Sequence, residues 1–63
     1  MKNSIQELRK SKNLRQEDLA AILGVTRQTV IAIENNKYDP TLELAMKISE
    51  YFEMSVNEIF RLK

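Results

Sequence analysis

The sequence contains no cysteine and no histidine, and only one glycine and one proline. Disulfides and soft metal ligands are thereby excluded, and any catalysis would fall to carboxylates, lysine, tyrosine or hydroxyls. Most enzyme chemistry goes with them. Long apolar runs are missing too: stretches such as Val30–Ile33 fall far short of the ~20 residues that cross a bilayer. The opening MKNSIQELRK has no apolar core of the kind a signal peptide needs. These absences predict a cytoplasmic chain that is not an enzyme and has no cofactor, metal, small-molecule ligand or membrane partner. At 63 residues it is expected to form a single domain over residues 1–63. A domain of that size buries only about 60% of its unfolded surface, so modest stability follows.

The charge is nearly balanced at +1, but it is unevenly spread. Residues 1–37 hold seven basic side chains (Lys2, Arg9, Lys10, Lys12, Arg15, Arg27, Lys37) against four acidic ones (Glu7, Glu17, Asp18, Glu34). Residues 38–63 reverse the balance, with Lys47, Arg61 and Lys63 against Asp39, Glu43, Glu50, Glu53 and Glu58. An electropositive first half suits a polyanionic partner placed against it. The acids Glu43, Glu50, Glu53 and Glu58 read as a solvated face, because nothing in the sequence makes them converge on a metal.

Apolar residues recur at helical spacing: Ile5 and Leu8, Leu19 with Ile22 and Leu23, Val30 and Ile33, Ala45 with Ile48 and Phe52. The fold class is therefore all-α, with five helices. The first is predicted from Asn3 to about Lys12, with Asn3 as N-cap, Gln6 reaching back to it, and Asn13 ending the helix. A second starts near Gln16 with Glu17 and Asp18 in its first turn, and stops at Gly24. Thr26 caps a third, Arg27 to about Asn35, closed by Asn36 in the left-handed conformation. Pro40 fits the first turn of a fourth, capped by Asp39 or Thr41 and ending near Phe52. Ser55 and Glu58 form a capping box for a fifth, to about Phe60.

Gln16 to Asn35 is the informative stretch, two short helices joined by Gly24-Val25-Thr26. Ala20 is small where the helices must approach, Gly24 permits positive φ, and Leu19, Val25, Val30 and Ile33 can fill the angle between them. Packing does not account for Arg27, Gln28 and Thr29 at the outer N-terminal end of the third helix. Arginine and glutamine are the side chains that form paired hydrogen bonds with guanine and adenine edges in the major groove.

This stretch resembles the helix-turn-helix of the phage repressor and Cro-type regulators, the xenobiotic-response-element family. Leu8-Arg9, Gln16 to Ala20, Gly24 to Thr29, Glu34 to Lys37 and Pro40 carry the likeness, which covers nearly the whole chain. It implies a compact lambda-repressor-like domain and sequence-specific binding of double-stranded DNA by a transcriptional regulator. On that likeness Arg27 and Gln28 read bases from a recognition helix of about Arg27 to Asn35. Gln16 meets a backbone phosphate, as do Asn35, Asn36 and Lys37; Arg15 is a secondary phosphate contact and Thr29 a secondary base contact. Lys10, Lys12 and Lys37 suit either phosphate contact or ordinary surface charge. Arg9 and Glu34 match positions that related domains join by an ion pair, a structural role.

Three positions depart from the family pattern. Arg15 replaces the usual Ser or Thr cap of the second helix, Ala32 replaces an often polar recognition-helix residue, and Glu53 replaces a common Gly where positive φ is uncommon for glutamate. Met46 and Met54 read as core or gap-filling residues. Phe52, Val56, Ile59, Phe60 and Leu62 exceed what one side of a short helix can bury, which points to a homodimer interface there. A symmetric dimer would set two recognition helices about one DNA turn (~34 Å) apart on a palindromic operator. Operator occupancy, and so repression, is the expected mode. The alternative is an antitoxin-like partner-binding module on the same scaffold, against which the presence of Gln16, Arg27 and Gln28 argues.

Overall fold

The apolar residues at helical spacing meet in one core in the computed structural model, which describes residues 1–62. Its almost fully buried side chains are Ile5, Leu19, Val30, Ile33, Ile48 and Ile59. Every helix supplies at least one of them: α1 (Ile5–Ser11), α2 (Gln16–Leu23), α3 (Arg27–Glu34), α4 (Leu42–Phe52) and α5 (Val56–Ile59). The fold is all-α. Periodicity gave no notice of one small addition, the two-residue strands β1 (Lys2–Asn3) and β2 (Phe60–Arg61). They pair antiparallel, Lys2 opposite Arg61 and Asn3 opposite Phe60. No helix among the described residues is long and apolar enough to cross a membrane.

Local capping chemistry explains most helix ends, and corrects two of the predicted ones. Asn3 lies in β1 rather than capping α1. Its Oδ1 accepts from the Ile5 N–H at 3.1 Å, while its Nδ2 donates to the Ile33 carbonyl at 2.8 Å and so ties the N-terminus to α3. Thr41 is the cap of α4, its Oγ1 accepting from the Leu44 N–H at 3.2 Å. Pro40 thus stands one residue ahead of the cap, where its missing N–H costs no helical hydrogen bond. At the other end of the chain, α5 stops at Ile59 and Phe60 turns into β2. The Ser55 and Glu58 capping box forms in both directions, at 2.8 and 3.2 Å. Asn13, Asn36 and Glu53 all take positive φ, between 55° and 59°.

The C-terminal apolar cluster is not the exposed surface that its composition suggested. Phe52, Ile59 and Phe60 are buried within the single chain, and Val56 packs partly against the same core. The strand pairing is the reason: holding residues 60–61 beside residues 2–3 folds Phe60 onto the core. Only Leu62, 91% exposed, stands free. Met46 is a second correction, since it is 54% exposed on the outer face of α4 with Leu42 at 73%, while Met54 does pack against the core. Leu42 and Met46 are four residues apart and share that outer face.

Candidate nucleic-acid interface

The turn between α2 and α3 is set by Gly24, at φ +73°. A Cβ there would meet nothing within 4 Å, so the glycine is required by backbone conformation and not by space. Val25 N–H bonds the Ala20 carbonyl at 3.0 Å, closing α2 before the chain turns. Thr26 then opens α3 as its N-cap, with Oγ1 accepting from the Thr29 N–H at 3.2 Å. Arg27 and Gln28 follow directly and are both exposed. Thr29 is half-buried, and its hydroxyl lies 3.0 Å from that of Thr26. It faces a different cleft, shared with Tyr38, Thr41 and Lys47, and not the one that holds Arg27.

The N-terminal end of α2 lies beside the start of α3. Arg9, Arg15, Gln16, Glu17 and Arg27 line one cleft of about 290 Å³, its lining three arginines to one acidic residue. Arg15 supplies no side-chain cap for α2; instead Asp18 Oδ2 accepts from the Arg15 N–H at 2.8 Å. That bond, opposed by slight desolvation and reinforced by the Arg15 charge, holds the Asp18 carboxyl below the usual carboxylate range. The Arg15 guanidinium reaches Glu17 at 3.2 Å and Asp18 at 3.5 Å. It is 76% exposed, so these pairs are weak and easily exchanged for a stronger anion.

Beneath the cleft lies the pair of Arg9 with Glu34, their side chains 8% and 3% exposed. Arg9 Nε donates to Glu34 Oε2 at 2.7 Å and Nη2 to Oε1 at 3.2 Å, while Nη1 donates to the Leu14 carbonyl at 2.7 Å. The pair joins α1 to α3 and to the loop leading into α2. Gln16 Nε2 completes the network by donating to Glu34 Oε1 at 3.2 Å. No buried side-chain polar atom among the described residues lacks a partner.

Asn35, Asn36 and Lys37 are exposed just past α3. Asn3 Nδ2 reaches Asn36 Oδ1 at 3.2 Å, and the N-terminal amine pairs with Asp39 at 3.5 Å. The start of the chain therefore braces the loop that follows α3. Sequence reasoning missed this role, since an asparagine near a helix start looks like a cap; nothing local distinguishes the two uses. Lys10 is exposed, and Lys12 stacks over the Tyr51 ring at 5.6 Å, giving it a packing partner on α4. The acids Glu43, Glu50, Glu53 and Glu58 are all exposed, and no metal-sized cluster of acids occurs among the described residues.

Two short helices hinged at Gly24, the second presenting exposed Arg27 and Gln28 at its N-terminus, define a helix-turn-helix DNA-binding domain. The helix-turn-helix family matches residues 5–59, and the chain belongs to it, in its Cro/C1-type form. Its relatives are named as transcriptional regulators. The chain is 55% identical over 60 residues to the HTH-type transcriptional regulator MJ0272 of Methanocaldococcus jannaschii, covering 95% of this chain and 91% of that protein. It is 48% identical over 63 residues to the HTH-type regulator YgzD of Bacillus subtilis, covering 100% and 96%. An HTH-type regulator of Archaeoglobus fulgidus is 42% identical over 60 residues, 95% of this chain and 84% of that one. The protein is thus a DNA-binding transcription regulator and not an enzyme.

Proposed function

We propose that the chain binds a palindromic operator as a homodimer and regulates mainly by occupying it. Arg27 and Gln28 read base edges in the major groove, and Gln16, Arg15, Asn35, Asn36 and Lys37 hold the flanking phosphates. The observation that carries this reading is the shared cleft, in which the exposed start of α3 at Arg27 lies beside the start of α2 at Gln16 and Arg15. With α3 in the groove, its N-terminus would meet bases while the N-terminus of α2 would meet a phosphate. Thr29, turned toward Thr26, is left as a secondary contact.

The test compares binding of the preferred duplex and of random duplex by fluorescence anisotropy at fixed salt. Gln28→Ala is expected to weaken the first and spare the second; equal losses on both would contradict base reading. For the dimer, the supporting observations are Leu62, which stands free, and Val56, only partly covered. Leu62→Asp is expected to shift sedimentation toward monomer and to weaken operator binding. A native chain that sediments as monomer at high micromolar concentration, and binds a lone half-site as well as a full one, would refute it.

A further inference from the structure

We propose that Glu34 is a positioning residue for DNA binding, which orients the Gln16 side chain before any DNA arrives. The proposal rests on the reading of Gln16 as a phosphate contact. Glu34 Oε1 is shared between Arg9 Nη2 and Gln16 Nε2, each at 3.2 Å, and Oε2 takes Arg9 Nε at 2.7 Å. A carboxylate in an ion pair can accept hydrogen bonds but cannot donate them. The Gln16 amide must therefore turn its nitrogen inward, which leaves its second N–H and its Oε1 for groups outside the network.

The anchor is rigid. Both ion-pair side chains are more than nine-tenths buried, and Arg9 is fixed a third time by the Leu14 carbonyl, two residues ahead of Gln16. A flexible glutamine on the surface of a helix start would lose rotamer freedom on meeting a phosphate; here much of that ordering is complete in the free protein. The pair thus serves two ends. It closes α1 against α3, and it presents a directed donor at the mouth of the cleft that Arg15 and Arg27 line.

The experiment is a double-mutant cycle on operator binding. Gln16→Ala is measured in the native chain and in Arg9→Met/Glu34→Leu, an apolar replacement of similar volume that typically leaves such folds intact. In the native chain Gln16→Ala is expected to weaken binding about 10-fold, the scale of a hydrogen bond to a charged group. In the apolar background the loss shrinks to less than about 2-fold, because an untethered Gln16 gives up most of its advantage. In the free protein, the Gln16 side-chain amide resonances move to solvent-exposed positions in the apolar background. Glu34→Gln, measured at low temperature because it leaves buried Arg9 without its counter-charge, supplies a second background: an amide can face Gln16 with either its oxygen or its nitrogen, so the same shrinkage follows. A Gln16→Ala loss equal in native and altered backgrounds would overturn the positioning role and leave the phosphate contact standing. No loss in the native chain would instead overturn that contact, and the proposal with it.

Discussion

Arg27 and Gln28 do no packing: both are exposed on α3, so their cost to the fold on removal is small. Arg27→Ala and Gln28→Ala should each weaken binding to the preferred site by about 1–3 kcal/mol, with melting temperature nearly unchanged, while Lys37→Ala should weaken all sequences alike and lower the salt slope. Anisotropy titrations over a range of salt separate the two patterns. Arg9 and Glu34 behave oppositely. Removing one partner leaves a buried charge unmatched, so Arg9→Met alone should cost about 3–5 kcal/mol in urea denaturation, and adding Glu34→Leu should restore most of it. The exposed position of Arg27 and Gln28 at the start of α3 was legible because packing gave neither a role, and the base-reading proposed for them rests on what arginine and glutamine side chains can bond. Thr29 was less legible, since nothing in its identity says that its hydroxyl would turn toward the Thr26 cap. Asn3 was misread for the same reason, its partners Ile33 and Asn36 being some thirty residues away.

Helix starts read well because capping is local, and Thr26, Thr41 and Ser55 all accept from the N–H three residues on. Two carboxylates share in this work. Asp18 and Glu58 each accept from the N–H of their cap residue, and that bond is the leading cause of a carboxyl held below its usual range. A depressed folded value means stability that is present above about pH 4 and lost as pH falls through the lower folded values. The melting temperature of the native chain should therefore fall more steeply between about pH 5 and 3 than that of Asp18→Asn/Glu58→Gln, by circular dichroism. Helix ends carry strain at Glu53, which closes α4 at φ 55° where a glycine would be relaxed. Glu53→Gly should stabilise by about 0.5–1 kcal/mol, a gain seen in the urea midpoint. The β1 and β2 pair escaped the sequence reading because it joins the two ends of the chain through backbone bonds, and two-residue strands have too few side chains to show a period of two.

At the scale of the molecule, the first half of the sequence is net positive and holds Arg15, Arg27 and Lys37, all exposed, while the acids Glu43, Glu50, Glu53 and Glu58 of the net negative second half are exposed on α4, α5 and the loop between them. The all-α core was legible from apolar spacing, yet the spacing could not say which apolar residues a strand pair would pull inward. Phe60 is the case in point: it is core because β2 lies against β1, and the proposed dimer surface is drawn from what that leaves exposed. The central claim, that the exposed start of α3 reads sequence, is tested most directly by selecting binding sites from random duplex DNA at stated salt with the native chain and with Gln28→Ala. The account predicts a symmetric pair of half-sites about one helical turn (~34 Å) apart, with preference relaxed at a single position of each half-site in the variant. Selection that enriches no common sequence, or a variant that recovers the same site with the same stringency, would contradict it.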